Sequence, residues 1–264
     1  MNPQQRVARG RALTGILGDE SAAGMPRFKA VKSAITDALI AGEWKSGEFI
    51  PDQARLAGRF AVSIGTLRKA IDELVAEQIL IRRQGLGTFV AAHGPMRNRF
   101  HFFHIVDADG SRQLPKPELL GFARGRADAH DAARLGIDTG ARIITITNLL
   151  RLAGEPVVFD TIVIAAERFA DLTEAKFRNR DSTIYSLYQT RYGINVVRTN
   201  EQLRAAAASR AAAKVLRLRA HAPVLEIFRI AYTYNDVPVE LRHSVVNTAS
   251  RFYEADRGKA EGKT

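Results

Sequence analysis

Apolar residues at helical spacing open the readable part of the chain. Phe28, Val31, Ile35, Ala38 and Leu39 recur at three- and four-residue steps and predict an amphipathic helix over 28–41, which Gly42 ends. A turn-rich connector follows, Trp44-Lys-Ser-Gly-Glu-Phe-Ile-Pro51. Asp52 is placed to cap a second helix with Ala54, Leu56, Ala57 and Phe60. Ser63 is placed to cap a third, whose inner stripe is Leu67, Ala70, Ile71 and Leu74. The period then drops to two, and Ile79–Ile81 and Gly87–Val90 read as short strands around a Gly85-Leu-Gly87 turn. Residues 94–116, with Pro95 and Pro115, read as a linker. Its Phe100, Phe102, Phe103, Ile105 and Val106 can form a strand and dock.

Beyond the linker the pattern repeats. Ala132-Ala-Arg-Leu135, Ala141-Arg-Ile-Ile-Thr-Ile146 and Gly154-Glu-Pro-Val-Val158 come back as Ala212-Ala-Lys-Val215, Pro223-Val-Leu-Glu-Ile227 and Asp236-Val-Pro-Val-Glu240. Each copy reads helix, strand, hairpin turn, strand. Between them lie a helix near Thr183–Tyr192 and a strand near Val196–Arg204. Hairpin strands with interspersed helices predict an α+β domain on a mainly antiparallel sheet. Two related halves leave a cleft, where small ligands bind.

Composition narrows the function classes. A chain of 264 residues is comfortable for two domains. It contains no cysteine, which excludes a disulfide framework, a thiol nucleophile and a cysteine zinc site, and suits a reducing cytosol. No apolar run approaches a membrane span. Residues 1–25 carry Arg6, Arg9 and Arg11 without a continuous apolar core and read as a flexible tail rather than a signal peptide; 257–264 read as a C-terminal tail. A net charge of +11 favours polyanionic partners.

The third helix and the glycine turn supply the chemistry for such a partner. Thr66, Arg68 and Lys69 lie off the apolar stripe of that helix. A guanidinium can pair with a guanine edge or a phosphate, and a Thr with a phosphate or a thymine methyl. Arg82 and Arg83 add charge to the hairpin. Gly85 and Gly87 allow close backbone approach, and Thr88 can donate to a phosphate.

Residues 28–91 resemble the winged helix-turn-helix domain of GntR-family transcription regulators. The shared outline is Gly42 to Gly47, Pro51, Leu56-Ala57, Val62-Ser63, Thr66-Leu-Arg68, Ala70, Leu74 and the Gly85-x-Gly-Thr-Phe-Val wing. Residues 117–256 resemble the effector (UTRA) domain of the HutC subfamily, which shares a fold with chorismate lyase. That likeness rests on Leu135-Gly, Gly154-Glu-Pro-Val, Ser182-Thr-Ile-Tyr185, Tyr192-Gly-Ile194, Pro223-Val-Leu and Pro238-Val-Glu240. The family usually has arginine where this chain has Ala54 and Ile64, and threonine where it has Gly65. Arg55 adjoins the first of these. Ile64, at the edge of the apolar stripe, either packs inward or touches a thymine methyl.

The resemblance implies a domain plan of 26–93 for the DNA-binding head and 117–256 for a chorismate-lyase-like, antiparallel effector domain. It implies a cytoplasmic, nucleoid-associated homodimer that binds double-stranded operator DNA as a repressor and is released by a small polar metabolite. The DNA-contacting set it implies is Arg55, Ser63, Ile64, Thr66, Arg68, Lys69, Arg82, Arg83, Gly85, Gly87 and Thr88. For the effector it implies Asn148, Asp160, Thr183, Tyr185, Glu240 and Arg242. Asn148 and Leu150 stand where two anion-binding arginines occur in the family, and Arg151 points to the opposite face from Leu150, which argues against a phosphosugar. Asp160 and Glu240 would accept from hydroxyls or an amine, and Thr183 and Tyr185 would donate to an anion. Other readings stay open: Tyr185 as a core aromatic, Asp160 and Glu240 as solvent-facing strand residues, Arg242 as a surface charge.

No cofactor or metal is expected. His101 and His104 face opposite sides of a strand and chelate poorly, and neither a nucleophile elbow nor a phosphate-binding loop occurs. The chain is not expected to be an enzyme. The competing classes are residual chorismate-lyase-like activity, for which a shared fold is weak warrant, and non-specific architectural DNA binding, which would leave the second domain without a purpose.

Overall fold

The amphipathic stripe forms helix α1 (Arg27–Ile40), which buries Val31, Ile35, Ala38 and Leu39. The computed structural model describes residues 26–92, 102–180 and 183–255. The two tails, the stretch with Pro95, Phe100 and His101, and Ser182 lie outside the described residues. The chain divides into two compact units, Met1–Ala92 and His93–Thr264.

In the first unit, α2 (Gln53–Arg59) and α3 (Ile64–Ala76) each begin at a side-chain cap. Asp52 accepts from the Arg55 amide, and Ser63 accepts from the Thr66 amide. Such a bond satisfies one of the orphan amides of a helix start, and its loss costs ~1 kcal/mol. Leu67, Ala70, Ile71 and Leu74 of α3 are buried along with Leu56 and Ala57 of α2. The hairpin of β1 (Leu80–Arg83) and β2 (Gly87–Val90) follows, in register Leu80↔Val90 to Arg83↔Gly87. Gly85 and Gly87 both have positive φ, 74° and 110°, which L side chains rarely adopt, so this turn needs glycine.

The second unit is built on one six-stranded antiparallel sheet, in spatial order β4-β5-β6-β9-β8-β7. The strands are β4 (Lys116–Arg126), β5 (Arg142–Leu152), β6 (Glu155–Ala165), β7 (Arg198–Ala207), β8 (Pro223–Tyr232) and β9 (Pro238–Val246). Two three-stranded meanders therefore meet along β6 and β9. Each has its own helix, α4 (Ala129–Leu135) capped by Asp128 and α7 (Arg210–Leu216) capped by Ser209, and each helix ends in a left-handed residue, Gly136 and Arg217. The internal repeat in the sequence is this pair of meanders.

Side-chain alternation gives the sheet two different faces. Ile143, Leu149, Val224, Leu241 and Val245 pack with the apolar sides of α4 and α7. Ile144, Ile146, Ile162 and Ile164 face the other way, toward α6 (Ile184–Tyr192), which contributes Tyr185 and Tyr188, and toward Phe177 of α5 (Glu174–Arg178). Part of the stretch read as linker forms a strand. Ile105–Asp107 forms β3, which pairs with β10 (Arg251–Tyr253). Phe102, Ile105 and Val106 are buried, because their apolar side chains complete the core of the second unit.

Candidate functional site

The first unit exposes polar and apolar side chains on both α3 and the hairpin. Ile64, Gly65, Arg68 and Lys69 are exposed and Thr66 is half-buried. Of the two readings open for Ile64, inward packing does not occur: the side chain is 49% exposed, at the first position of α3. A Cβ on Gly65 would meet only Ser63 Oγ at 3.9 Å, so this end of the helix is sterically open. The Ser63 and Thr66 hydroxyls are 2.9 Å apart and hold one another. Arg55 is exposed on α2; Arg68 reaches Gln53 at 3.5 Å. Lys69 leans over the Phe28 ring at 4.1 Å.

On the hairpin, Arg82, Arg83, Gly85, Leu86 and Gly87 are exposed, and Thr88 is half-buried. Arg82 is tied to Asp72 of α3 at 2.7 Å, and Arg83 stacks over Phe89 at 4.8 Å. Asp72 thus fastens the hairpin to the exposed side of α3, a contact that spacing alone did not reveal. The arrangement presents cations, a helix N-terminus and an exposed glycine turn on one small unit. That is the chemistry of a phosphate-lined duplex groove.

The second unit contains a cavity of about 350 Å³ between the sheet and α6. Four sequence-predicted effector residues line it: Asp160, Thr183, Tyr185 and Arg242. Register explains why two of them converge. Asp160 on β6 lies opposite Ser244 on β9, and Arg242 comes two residues earlier on the same face. Ser244 donates to Asp160 at 2.5 Å, and Arg242 reaches the other Asp160 oxygen at 3.4 Å.

Glu240 and Asn148, the other two expected effector residues, do not line this cavity. Glu240 is fully buried and accepts from Tyr185 Oη at 3.1 Å, Tyr188 Oη at 2.8 Å, and Arg242 Nε and Nη2 at 3.0 and 3.1 Å. These bonds tie α6 to β9 through Glu240. Tyr185, on the cavity wall, donates its hydroxyl proton to Glu240. Burial, reinforced by the charge of Glu240, raises the Tyr185 hydroxyl to about 12, so it stays protonated. Burial pulls Arg242 downward, but Glu240, Tyr185 and Asp160 outweigh it and hold the guanidinium above its ordinary value. Thr183 caps α6, accepting from the Ser186 amide at 3.2 Å. Asn148 lies in register with Asp160, wholly buried, and neither side-chain amide atom has a hydrogen-bond partner among the described residues. Arg151 turns away, to Glu118 at 2.9 Å.

Sequence reasoning missed Arg180, Arg229 and Ser244, all on the cavity wall. Arg229 pairs with Glu201, both nearly buried, and donates to the Phe102 carbonyl at 2.6 Å. Burial, together with repulsion from Arg242, lowers the Arg180 guanidinium, against an opposing effect of Tyr188. Elsewhere, Asp128, His130 and Asp131 bring three metal-capable atoms close together, but Asp128 is already engaged as the α4 cap. No helix among the described residues is long and apolar enough to cross a membrane.

Comparison with known proteins assigns both units. Residues 111–251 match the UTRA domain family, and residues 28–90 match the bacterial regulatory proteins of the gntR family. The chain is 28% identical over 214 residues to a transcriptional repressor ascribed to the fructoselysine utilization operon of Escherichia coli K12, covering 81% of this chain and 87% of that protein. It is 27% identical over 223 residues to the HTH-type transcriptional repressor NagR of Bacillus subtilis, covering 84% and 90%. Among solved structures, a ligand-binding domain ascribed to a GntR-family regulator of Bordetella bronchiseptica aligns at 29% identity and a TM-score of 0.57, over 60% of this chain and 98% of that one. PhnF of Mycobacterium smegmatis aligns at 23% identity and a TM-score of 0.50, over 85% and 97%, a likeness of fold.

Proposed function

We propose, on the premise that this chain belongs to the UTRA-domain family and carries a gntR-type DNA-binding head, that it represses transcription from an operator until a small molecule enters the second unit. The chain is a transcription regulator and not an enzyme. We infer further that it acts as a homodimer resident in the cytoplasm with the nucleoid.

The observation that carries the reading is the outward display of Ile64, Arg68 and the Gly85–Gly87 turn on a single small unit. The start of α3 enters the major groove. There Arg68 pairs with a guanine edge or a phosphate, and Ile64 packs against a thymine methyl. Arg55, Lys69, Arg83 and Thr88 bind phosphates, and Ser63 holds Thr66 in its rotamer. Arg82 acts through Asp72 to fix the angle of the hairpin. A dimer places two heads on an inverted repeat whose half-site spacing follows its two-fold axis. In the second unit, ligand binding that favours one arrangement of the dimer over another weakens the grip on DNA. A differential of about 1–3 kcal/mol is ordinary for such coupling.

Selection of duplexes from a random library by the full-length protein tests this. Enrichment of an inverted repeat is expected, with thymine at the position where replacing thymine by uracil weakens binding of the wild type but not of Ile64→Ala. A pool without consensus returns the protein to non-specific binding and overturns the proposal.

A further inference from the structure

A second cavity, of about 300 Å³, opens where β4 ends and β5 begins. Its wall is Arg124, Gly125, Arg126, Arg142, Ile143 and Ala166, and it shares no residue with the cavity between the sheet and α6. Pro117, at the other end of β4, belongs to that first cavity, and roughly 20 Å of strand separates it from Arg124.

Strand register gathers three guanidiniums here. Arg126 on β4 lies directly opposite Arg142 on β5, and Arg124 lies two residues from Arg126 on the same face. All three are exposed, whereas Ile143 and Ala166 are buried. Like charges directly opposite one another destabilise a sheet. No carboxylate among the described residues forms an ion pair with any of the three. Asp171, beside the Leu172 carbonyl that Arg124 uses, is held by Lys176 and Arg191.

Backbone carbonyls hold two of the three side chains in place. Arg124 Nη2 donates to the Leu172 carbonyl at 2.6 Å, and Arg126 Nη1 donates to the Gly140 carbonyl at 2.9 Å. A carbonyl takes one N–H and cancels no charge, so the other donors of each guanidinium stay available to a ligand. Arg142 makes no side-chain hydrogen bond among the described residues.

An uncharged ligand would leave the repulsion in place, and a single carboxylate would answer one fork of three. A compact polyanion answers the cluster, and guanidinium forks match phosphate oxygens bidentately. The volume stands at the low end of small-molecule sites, which span about 300–1,000 Å³. Arg124 and Arg126 are drawn back onto their own unit around a recess, which suits a small molecule rather than the extended backbone of a nucleic acid.

We propose that this pocket binds a small diphosphate-bearing anion, separately from the effector cavity, with Arg126 and Arg142 sharing one phosphoryl group and Arg124 meeting the other. The claim goes beyond the regulatory reading and does not depend on which effector the first cavity takes.

Titration calorimetry and thermal shift on the full chain test it, with inorganic pyrophosphate and ADP as probes and with sulfate and citrate at equal ionic strength as controls. Pyrophosphate should bind and raise the melting temperature, by mass action on the folded state. Sulfate and citrate should bind at least about tenfold more weakly. Arg142→Gln should weaken pyrophosphate about tenfold to a hundredfold, the worth of a hydrogen bond to a charged group. Without anion that variant should melt no lower than the wild type, since it loses one repulsion and no partner. Arg180→Gln, in the first cavity, should bind pyrophosphate as the wild type does. ADP binding more tightly than pyrophosphate makes a nucleotide the source of the diphosphate, and weaker binding makes it the free anion; either supports the site. Absence of pyrophosphate binding at millimolar concentration overturns the proposal, as does citrate binding equally well. Full binding by Arg142→Gln, or its loss in Arg180→Gln instead, places the anion elsewhere and does the same. An Arg142→Gln protein that loses affinity for the selected duplex as strongly as for pyrophosphate makes the occupant a nucleic-acid backbone and overturns it too.

Discussion

Replacing Glu240 by alanine should unfold the second unit more readily rather than merely blunt a ligand response. Glu240 is fully buried, and four hydrogen bonds end on it, from Tyr185, Tyr188 and two nitrogens of Arg242. Alanine leaves two buried hydroxyls without acceptors, at about 1–3 kcal/mol each. It also leaves Arg242 with Asp160 alone, at 3.4 Å, as counter-charge. These costs overlap, and breaking a buried pair by removing one partner usually amounts to about 3–5 kcal/mol. Urea unfolding followed by far-ultraviolet circular dichroism measures the loss. Fluorescence of Trp44, the single tryptophan, reports the first unit separately. Adding Arg242→Met should return much of the stability, because the uncompensated charge goes with it. A Glu240→Ala protein within about 1 kcal/mol of wild type would refute the assignment of Glu240 as the electrostatic anchor, since even one orphaned hydroxyl should cost that much.

Other outcomes follow from the same geometry. Arg68→Ala should weaken binding to the selected duplex by about 1–3 kcal/mol in an anisotropy titration; unchanged affinity removes Arg68 from the contact set. Asp72→Ala frees Arg82 from its 2.7 Å partner, and if Arg82 then neutralises one more phosphate the log–log salt slope steepens by about 0.9; an unchanged slope keeps Arg82 off the DNA. Glu201 is buried, which raises its carboxyl, but Arg229 and Tyr253 outweigh burial and hold it below 4.5. Its ionised form therefore adds stability that is complete above that value and is lost as pH falls through the lowered one. The melting-temperature gap between wild type and Glu201→Gln should be flat at neutral pH and close in acid; a gap that persists unchanged into strong acid contradicts the Glu201–Arg229 pairing.

The helices of the head were legible because period and caps agree: Asp52 and Ser63 stand immediately before apolar stripes, and both side chains cap in the structure. The two meanders were legible because the chain repeats. That Ile105 and Val106 could form a docking strand was legible from their apolar side chains, but its partner was not, since β10 comes from the far end of the chain. The role of Glu240 was hidden for a similar reason. Tyr185 and Tyr188 reach it from a helix, Arg242 from its own strand, and only the packed sheet shows that they converge. Arg229 left a usable signal, as a charged residue between the inward-facing Ile227 and Ala231 of β8, where alternation predicts an apolar side chain. Arg180 left none, because it lies between α5 and α6 where no period applies. The family pattern pointed to Glu240 and Asn148 as ligand contacts; neither lines the cavity, whose wall includes Arg180, Thr183 and Ser244.

The central claim is that the face joining α3 to the hairpin reads DNA sequence. The most direct measurement is the ratio of affinities of the full-length protein for the duplex it selects and for a scrambled duplex of equal length, at one fixed salt concentration. The account predicts a ratio of at least ~10³, lowered by Arg68→Ala through loss of the selected duplex alone. A ratio near unity, or an Arg68→Ala protein that weakens on both duplexes equally, would contradict it.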